Sequence, residues 1–319
     1  MNKLKKKFDV IVVGELNVDL ILNQIVGYPE IGKEILADQM TLALGSSSAI
    51  CASNLSSLGL NVGFIGKLGK DLFGKFIIQE LQKKGVDTSL IITDPNLITG
   101  ATIALNYDED RAMVTYQGAM THLGIDDIRK EDLRLAQHLH FSSYFFQPGF
   151  HNELHNLFKM AQNEGLSTSL DVQWDPADQW DLDLEKVLPA LDVFIPNEAE
   201  LLKLSKQENL TEAIDVIKEK CNQLVVKCGN RGSVLCYDGK KVEKNAFTNK
   251  NVVDSIGAGD SFNAGYISKY VKGKSPEECQ EFGNLIGAIS TTDSGGTAAF
   301  KDLDAIMKIA KEKFNYIQH

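Results

Sequence analysis

The chain has 319 residues, 43% of them hydrophobic and 24% charged, with a formal net charge of −10. That is enough apolar material for one large α/β domain or two medium ones. The acid excess argues against nucleic acid as a main partner, although a nucleotide, which needs only local N–H groups and a cation, stays open.

The basic start, Lys3 to Lys7, leads into a short apolar run, Val10 to Val13, that is not a secretory signal. No run approaches membrane-spanning length, so a cytoplasmic protein without a membrane partner is expected. The cysteines, Cys51, Cys221, Cys228, Cys236 and Cys279, are scattered and odd in number, which predicts free, mostly buried thiols.

Phe8 to Val13, closed by Gly14, reads as a buried strand. Glu15 to Leu22 alternates polar and apolar residues and reads as a half-exposed strand. Asn17 and Asp19 lie two apart and so point the same way. They suit a grip on vicinal hydroxyls, or simply a solvated strand face. Gly45-Ser46-Ser47-Ser48 opens a small-residue helix that stops near Leu58-Gly59. Asn61 to Leu68 reads as a strand, and Asp71 to Lys84 as a helix capped by Asp71 and closed by Gly85. This alternation predicts a doubly wound, mostly parallel sheet with helices on both faces.

Two excursions break the rhythm. One is Val18 to Leu42; the other is a hairpin of Ile98 to Tyr107 and Arg111 to Tyr116, joined by Asp108-Glu109-Asp110. They are expected to pair into a small separate sheet. Lacking a core of its own, such a sheet must cover something or meet a copy of itself.

The rhythm resumes with a strand from His138 to Phe146, a helix from Phe150 to Glu164 and a strand from Ser167 to Val172. His151 and His155 stand four apart, but Asn152 sits where the glutamate of H-E-x-x-H belongs, and they read as surface histidines. Gln173-Trp174-Asp175-Pro176 is a loop holding one of two tryptophans. Leu191 to Pro196 reads as a strand, and Asn197 with Glu200 forms a capping box on the next helix. A magnesium ion nearby is compatible with that capping. Leu224 to Cys228 is a strand, Gly229-Asn230-Arg231-Gly232 a tight turn, and Ser233 to Tyr237 a strand. A helical hairpin from Ser275 to Thr292, Gly295-Gly296 and an amphipathic helix close the chain. No linker divides it, so a single domain over 1–319 is expected, with inserts at about 15–43 and 97–118.

The stretch Asp254-Ser255-Ile256-Gly257-Ala258-Gly259-Asp260-Ser261-Phe262 carries the chemistry. Small residues turn a backbone tightly into a helix whose first N–H groups, at the positive end of its dipole, attract an oxyanion. A carboxylate at the same point would repel phosphate. It fits if it must take a proton from a hydroxyl attacking that phosphate. Locally, a glycine turn before a core helix explains the residues as well.

Asp254 to Ile267 resembles the C-terminal signature of the PfkB family of carbohydrate kinases, the ribokinase-like group. The likeness extends over essentially the whole chain, through Gly14 with Asn17 and Asp19, the Gly45 segment, the Thr99-Gly100 hairpin ending Tyr116-Gln117-Gly118-Ala119, Pro196 to Glu200, and Lys227-Cys228-Gly229. The resemblance implies ATP and Mg²⁺, with a sugar as acceptor. It makes Asp260 the catalytic base and the amides of Gly257, Ala258 and Gly259 the anion hole. Asn197 and Glu200 would order magnesium, partly through water. Lys227, Gly229, Gly232 and Asn284 would build the ATP site. Asp19, Asn17, Gly45 and Ser46 would hold the sugar. Asp254 and Ile256 fall near a monovalent-cation loop, which leaves K⁺ activation open. The small sheet would be a lid, through which many relatives form homodimers.

The family's N-terminal signature has a second glycine where this chain has Ser46, and an asparagine where it has Ile50. That removes an amide from the expected sugar pocket and adds a hydroxyl. A sugar kinase is the reading favoured. A nucleoside kinase of the same family would need an aromatic slot for a base, with Phe64, Tyr107, Phe145 and Trp174 as candidates. A phosphorylated sugar would need basic residues such as Lys33 or Arg111 aimed at the pocket. A non-catalytic sugar or nucleotide sensor is the alternative of a different class.

Overall fold

The computed structural model describes residues 6–107 and 110–317. Lys3 to Lys5, the hairpin tip at Asp108-Glu109 and the side chain of Arg111 lie outside the described residues. In chain order the first half comprises β1 (Phe8–Val13), β2 (Asn17–Ile25), β3 (Ala37–Leu44), α1 (Ser47–Ser57), β4 (Val62–Ile65), β5 (Lys67–Gly69), α2 (Leu72–Lys83), β6 (Ile92–Asp94), β7 (Gly100–Tyr107) and β8 (Asp110–Tyr116). Next come α3 (Lys130–Leu133), β9 (Ala136–Ser142), α4 (Leu154–Asn163), β10 (Ser167–Asp171), α5 (Leu184–Val187), β11 (Val193–Phe194), α6 (Glu198–Ser205) and α7 (Leu210–Ile217). The last elements are β12 (Gln223–Lys227), β13 (Ser233–Tyr237), β14 (Lys240–Lys244), α8 (Ala258–Tyr270), α9 (Pro276–Ser290) and α10 (Leu303–Phe314).

The main sheet runs β14-β13-β12-β11-β10-β9-β1-β4. From β4 through β12 every pairing is parallel, and β13 and β14 add an antiparallel edge. Helices cover both faces, giving two cores: Phe141, Phe158 and Leu170 lie in one, Phe64, Tyr266 and Ile267 in the other. This burial on both faces is why β1 is almost wholly apolar, while β9 and β10 bury His138 and His140 only by hydrogen-bonding both to Ser169.

A second sheet, ordered β3-β2-β7-β8, is formed by the two excursions, as their alternation predicts. Its register gives each face a distinct chemistry. Ala43, Asp19, Thr102 and Thr115 form one row across all four strands. The adjacent row, on the opposite face, is Leu42, Leu20, Ile103 and Val114.

Several expectations need correction. The run Asn61 to Leu68 is two strands, with Gly66 between them and β5 pairing with β6 in a small sheet of its own. The strand expected to reach Phe146 stops at Ser142, because Ser143 turns into the left-handed region (φ 62). The helix expected from Phe150 starts at Leu154, after Asn152 takes φ 63. The strand over Leu191 to Pro196 keeps only Val193–Phe194 in register. Ser275 to Thr292 is one capped helix that packs on α8, not a hairpin. β14 and α7 carry no strong sequence signal and are additions. The cysteines are free, and all but Cys221 are buried.

Candidate active site

The carboxyl ends of parallel strands are where open α/β sheets bind ligands. β1 delivers Glu15, β10 delivers Asp171 and Gln173, β11 delivers Asn197, and β12 ends in Lys227. Asp260 meets them from the first turn of α8.

These groups form one buried network. Lys227 Nζ donates to Asp171 Oδ2 at 2.5 Å and to Asn263 Oδ1 at 3.3 Å. Gln173 Nε2 donates to Asp171 Oδ2 and to Asp260 Oδ1, 2.9 Å in each case. Burial above all, then the Asp171 charge, pushes Asp260 up to about 7, against the pull of Lys227. Burial and then Asp171 raise Glu200 to about 8. Burial likewise raises Glu15, which accepts from Ser48. Asp260, Glu200 and Glu15 are thus each held where burial disfavours the charged form.

The turn into α8 is built as its glycines suggest. Gly257 is the N-cap with φ 72, a region that favours glycine, and a Cβ there would come within 2.6 Å of the Gly296 backbone. Lys227 Nζ approaches Gly259 closely: a Cβ on Gly259 would lie 3.7 Å from it. Of the three amides, that of Ala258 already donates to the Ser255 carbonyl at 3.3 Å, so Gly257 and Gly259 are the better donors for an incoming anion. Asp254 ties this loop to the next, accepting from Ile256 N and from Gly295 N at 2.9 Å each.

A cavity of about 1200 Å³ lies between the second sheet and the main domain. Asn17, Asp19 and Ser46 line it, with Thr102 and Thr115 from the lid. Asn17 Nδ2 donates to Asp19 Oδ1 and to Thr102 Oγ1 at 3.0 Å. Gly45 lies beneath them, where a Cβ would fall 2.4 Å from Asp19 Oδ1. Asp260 sits behind this wall: Gln173 and Ser47, both lining the cavity, hydrogen-bond its carboxylate.

Asn197 and Glu200 form the expected capping box, and Glu200 takes both Asn197 N (2.8 Å) and Asn197 Nδ2 (2.6 Å). With its oxygens so engaged, Glu200 suits a cation held through water. Among the described residues no group of three or more His, Cys, Asp or Glu is arranged to hold a metal directly, His151 and His155 included. Gly229 and Gly232 bound the turn from β12 to β13. Asn284 is buried on α9, and its Nδ2 has no hydrogen-bond partner, an orphan donor of the kind a ligand satisfies.

Ile50 is not in the cavity wall. It packs on the turn into α8, where Cβ atoms on Gly257 and Gly296 would lie 3.2 and 2.8 Å from its side chain. Of the four aromatic residues proposed for a base slot, only Trp174 lines the cavity, half exposed and edge-on to Trp180. Phe64 is core, Phe145 packs on Tyr144 and Trp180, and Tyr107 packs on Tyr28. Lys33 is exposed and bonded to Glu30. Glu15, Asp171 and Gln173 are functional candidates that pattern reading passed over. Their signal was position: each lies at the carboxyl end of a parallel strand.

The family model for pfkB family carbohydrate kinases matches residues 7–303. The chain is 30% identical over 234 residues to an uncharacterised sugar kinase of Archaeoglobus fulgidus, covering 73% of this chain and 92% of that protein. A ribokinase structure from Arabidopsis thaliana, complexed with ribose and ATP, superposes with a TM-score of 0.83 at 26% identity, over 95% of this chain and 99% of that one. An adenosine kinase structure from Sinorhizobium meliloti shares the fold at 23% identity, with a TM-score of 0.82 over 95% and 99% of the two chains. The fold and its ligand-facing strand ends are those of a kinase. The chain belongs to the pfkB family of carbohydrate kinases. Among the described residues no helix is long and apolar enough to cross a membrane.

Proposed function

We propose that this protein transfers the γ-phosphate of ATP to a hydroxyl of a ribose-, fructose- or sugar-acid-like sugar in the cytoplasm, with Asp260 as general base. The observation that carries the reading is Asp260 itself: a buried carboxylate in the first turn of a helix that opens on small residues, beside a cavity whose wall carries Asn17, Asp19 and Ser46. The acceptor lies on Asn17, Asp19 and Ser46, under the lid threonines. Asp260 takes its proton as the oxygen attacks phosphorus, and the Gly257 and Gly259 amides receive the charge that develops on the phosphate. Lys227, Gly229, Gly232 and Asn284 hold ATP. Asn197 and Glu200 would hold Mg²⁺ through water, and when bound that ion neutralises phosphate charge. Asp254 and Ile256 shape the loop where K⁺ would act, which turnover in potassium against sodium buffer tests.

Glu15, Asn17, Asp19 and Ser46 put polar groups on the cavity wall, where the hydroxyls of a sugar or a sugar acid would be held. A nucleoside is the second reading, supported by the exposed Trp174 ring on the same wall.

Asp260→Asn is expected to lower turnover by about three orders of magnitude or more while ATP binding stays within a few-fold of the parent. ATP consumption across a panel of sugars, sugar acids and nucleosides, with ATP affinity measured by calorimetry, tests this. Near-parental turnover in the variant removes Asp260 as the base. No ATP use with any acceptor favours the sensor.

A further inference from the structure

Gln173 lies two residues beyond β10 with φ 60, a left-handed backbone that a residue carrying a side chain adopts at a cost. That turn brings its amide between two buried acids. Nε2 has two hydrogens, and the structure gives one to Asp171 Oδ2 and one to Asp260 Oδ1. Lys227 does not duplicate the second contact, since it donates to Asp171 and Asn263. Gln173 also lines the acceptor cavity, so it stands at the edge of the substrate space beside Asp260.

We propose that Gln173 is a positioning residue for the catalytic base: its amide fixes the plane of the Asp260 carboxylate and keeps that carboxylate charged beside Asp171. The inference rests on the kinase reading. Asp260 is faced by Asp171 from β10, Lys227 from β12, Glu15 from the end of β1, Glu200 from α6 and Cys51 from α1, with Ser47 as a neutral donor. Lys227 is the one cation in that set. A hydrogen bond to the charged form favours it, so losing the Gln173 donor lets Asp260 take up a proton more readily.

The test is Gln173→Leu, which keeps the bulk and removes the donor, with Gln173→Glu adding a third acid. In Gln173→Leu the acid limb of kcat/KM moves up by about one pH unit. Turnover at pH 6.5 falls about tenfold and approaches the parent's value by about pH 9, with KM for ATP unchanged within about twofold. In Gln173→Glu the limb moves further the same way. Melting temperature gives a readout that needs no turnover. The gap between parent and Gln173→Leu widens from pH 6 to pH 9, and it loses that pH dependence in an Asp260→Asn background. An active parent with an unmoved limb and a pH-independent melting gap overturns the inference alone and leaves Gln173 a loop-packing residue. A parent that consumes no ATP overturns the kinase reading and this inference with it.

Discussion

Asp260 couples activity and stability with opposite signs. As the proposed base it works only when ionised, and burial with Asp171 holds it near 7 rather than in the usual carboxylate range. Activity should therefore fall about tenfold per pH unit below that point. The folded protein keeps a proton that the unfolded chain has lost between about pH 4 and the folded value. Stability from this group is complete below the unfolded pKa and is lost as pH rises toward 7. Denaturation midpoints between pH 5 and 8 check the sign. Asp260→Asn should flatten that slope and be at least as stable as the parent at pH 8. Ser46 makes the second residue-scale case. It stands at φ 72, where a glycine would rest without strain, yet its hydroxyl donates to Glu15 O at 2.6 Å and accepts from Ala49 N at 3.0 Å. Ser46→Gly trades strain against a cap and should stay within about 1 kcal/mol of the parent. Ser46→Ala keeps the strain and loses both bonds, for about 2 kcal/mol. Urea denaturation separates them: an Ala variant as stable as the parent would show that the hydroxyl contributes nothing, and an Ala variant as stable as the Gly variant would show that the φ of 72 carries no strain. The sequence shows Ser46 as a departure from pattern; only the backbone angle shows what the departure must tolerate.

At the level of elements, what was legible followed from periodicity and punctuation. Asp71 and Gly85 bracket α2, Asn197 and Glu200 cap α6, and Gly59 ends α1, because each is a local backbone solution that needs no tertiary partner. Gly257 to Asp260 was legible for the same reason. What was not legible depended on distant partners. The segment Leu191 to Pro196 reads as one strand but pairs only over β11, since Pro196 cannot donate to the ladder and Asn197 turns to cap α6. Gln173 reads as part of a polar loop until α8 brings Asp260 to it from 87 residues away. Ile50 reads as a lost sugar contact until Gly257 and Gly296 close on it. The glycines of the site are marked in the sequence because only their backbone matters; Gln173, Glu15 and Asp171 act through side chains whose partners are set by the fold.

Across the whole molecule, the second sheet, the proposed lid, has one face on the cavity and one turned away from it. The row Ala43, Asp19, Thr102 and Thr115 turns toward the cavity, and the next row, Leu42, Leu20, Ile103 and Val114, must turn away from it. Val114 is 71% exposed and Met40 68%, so this outer face is an apolar surface spread over four strands. A monomer seldom leaves so continuous a patch in water, and a sheet of this size has no core of its own to hold its register. Pairing two lids face to face meets both needs, and we propose it as the homodimer contact. In a two-fold interface one substitution appears twice, so Val114→Lys would bury two like charges near the axis. The cost, several kcal/mol by the price of an unpaired buried charge, should weaken self-association by ~100-fold or more. Light scattering across a dilution series reads the mass directly. Because β8 also supplies Thr115 to the cavity, the monomeric variant should hold sugar less well, with KM for sugar rising several-fold and KM for ATP little changed. A parent protein that is monomeric at all concentrations would show that the outer face serves another partner, and a Val114→Lys dimer would place the contact elsewhere on the surface.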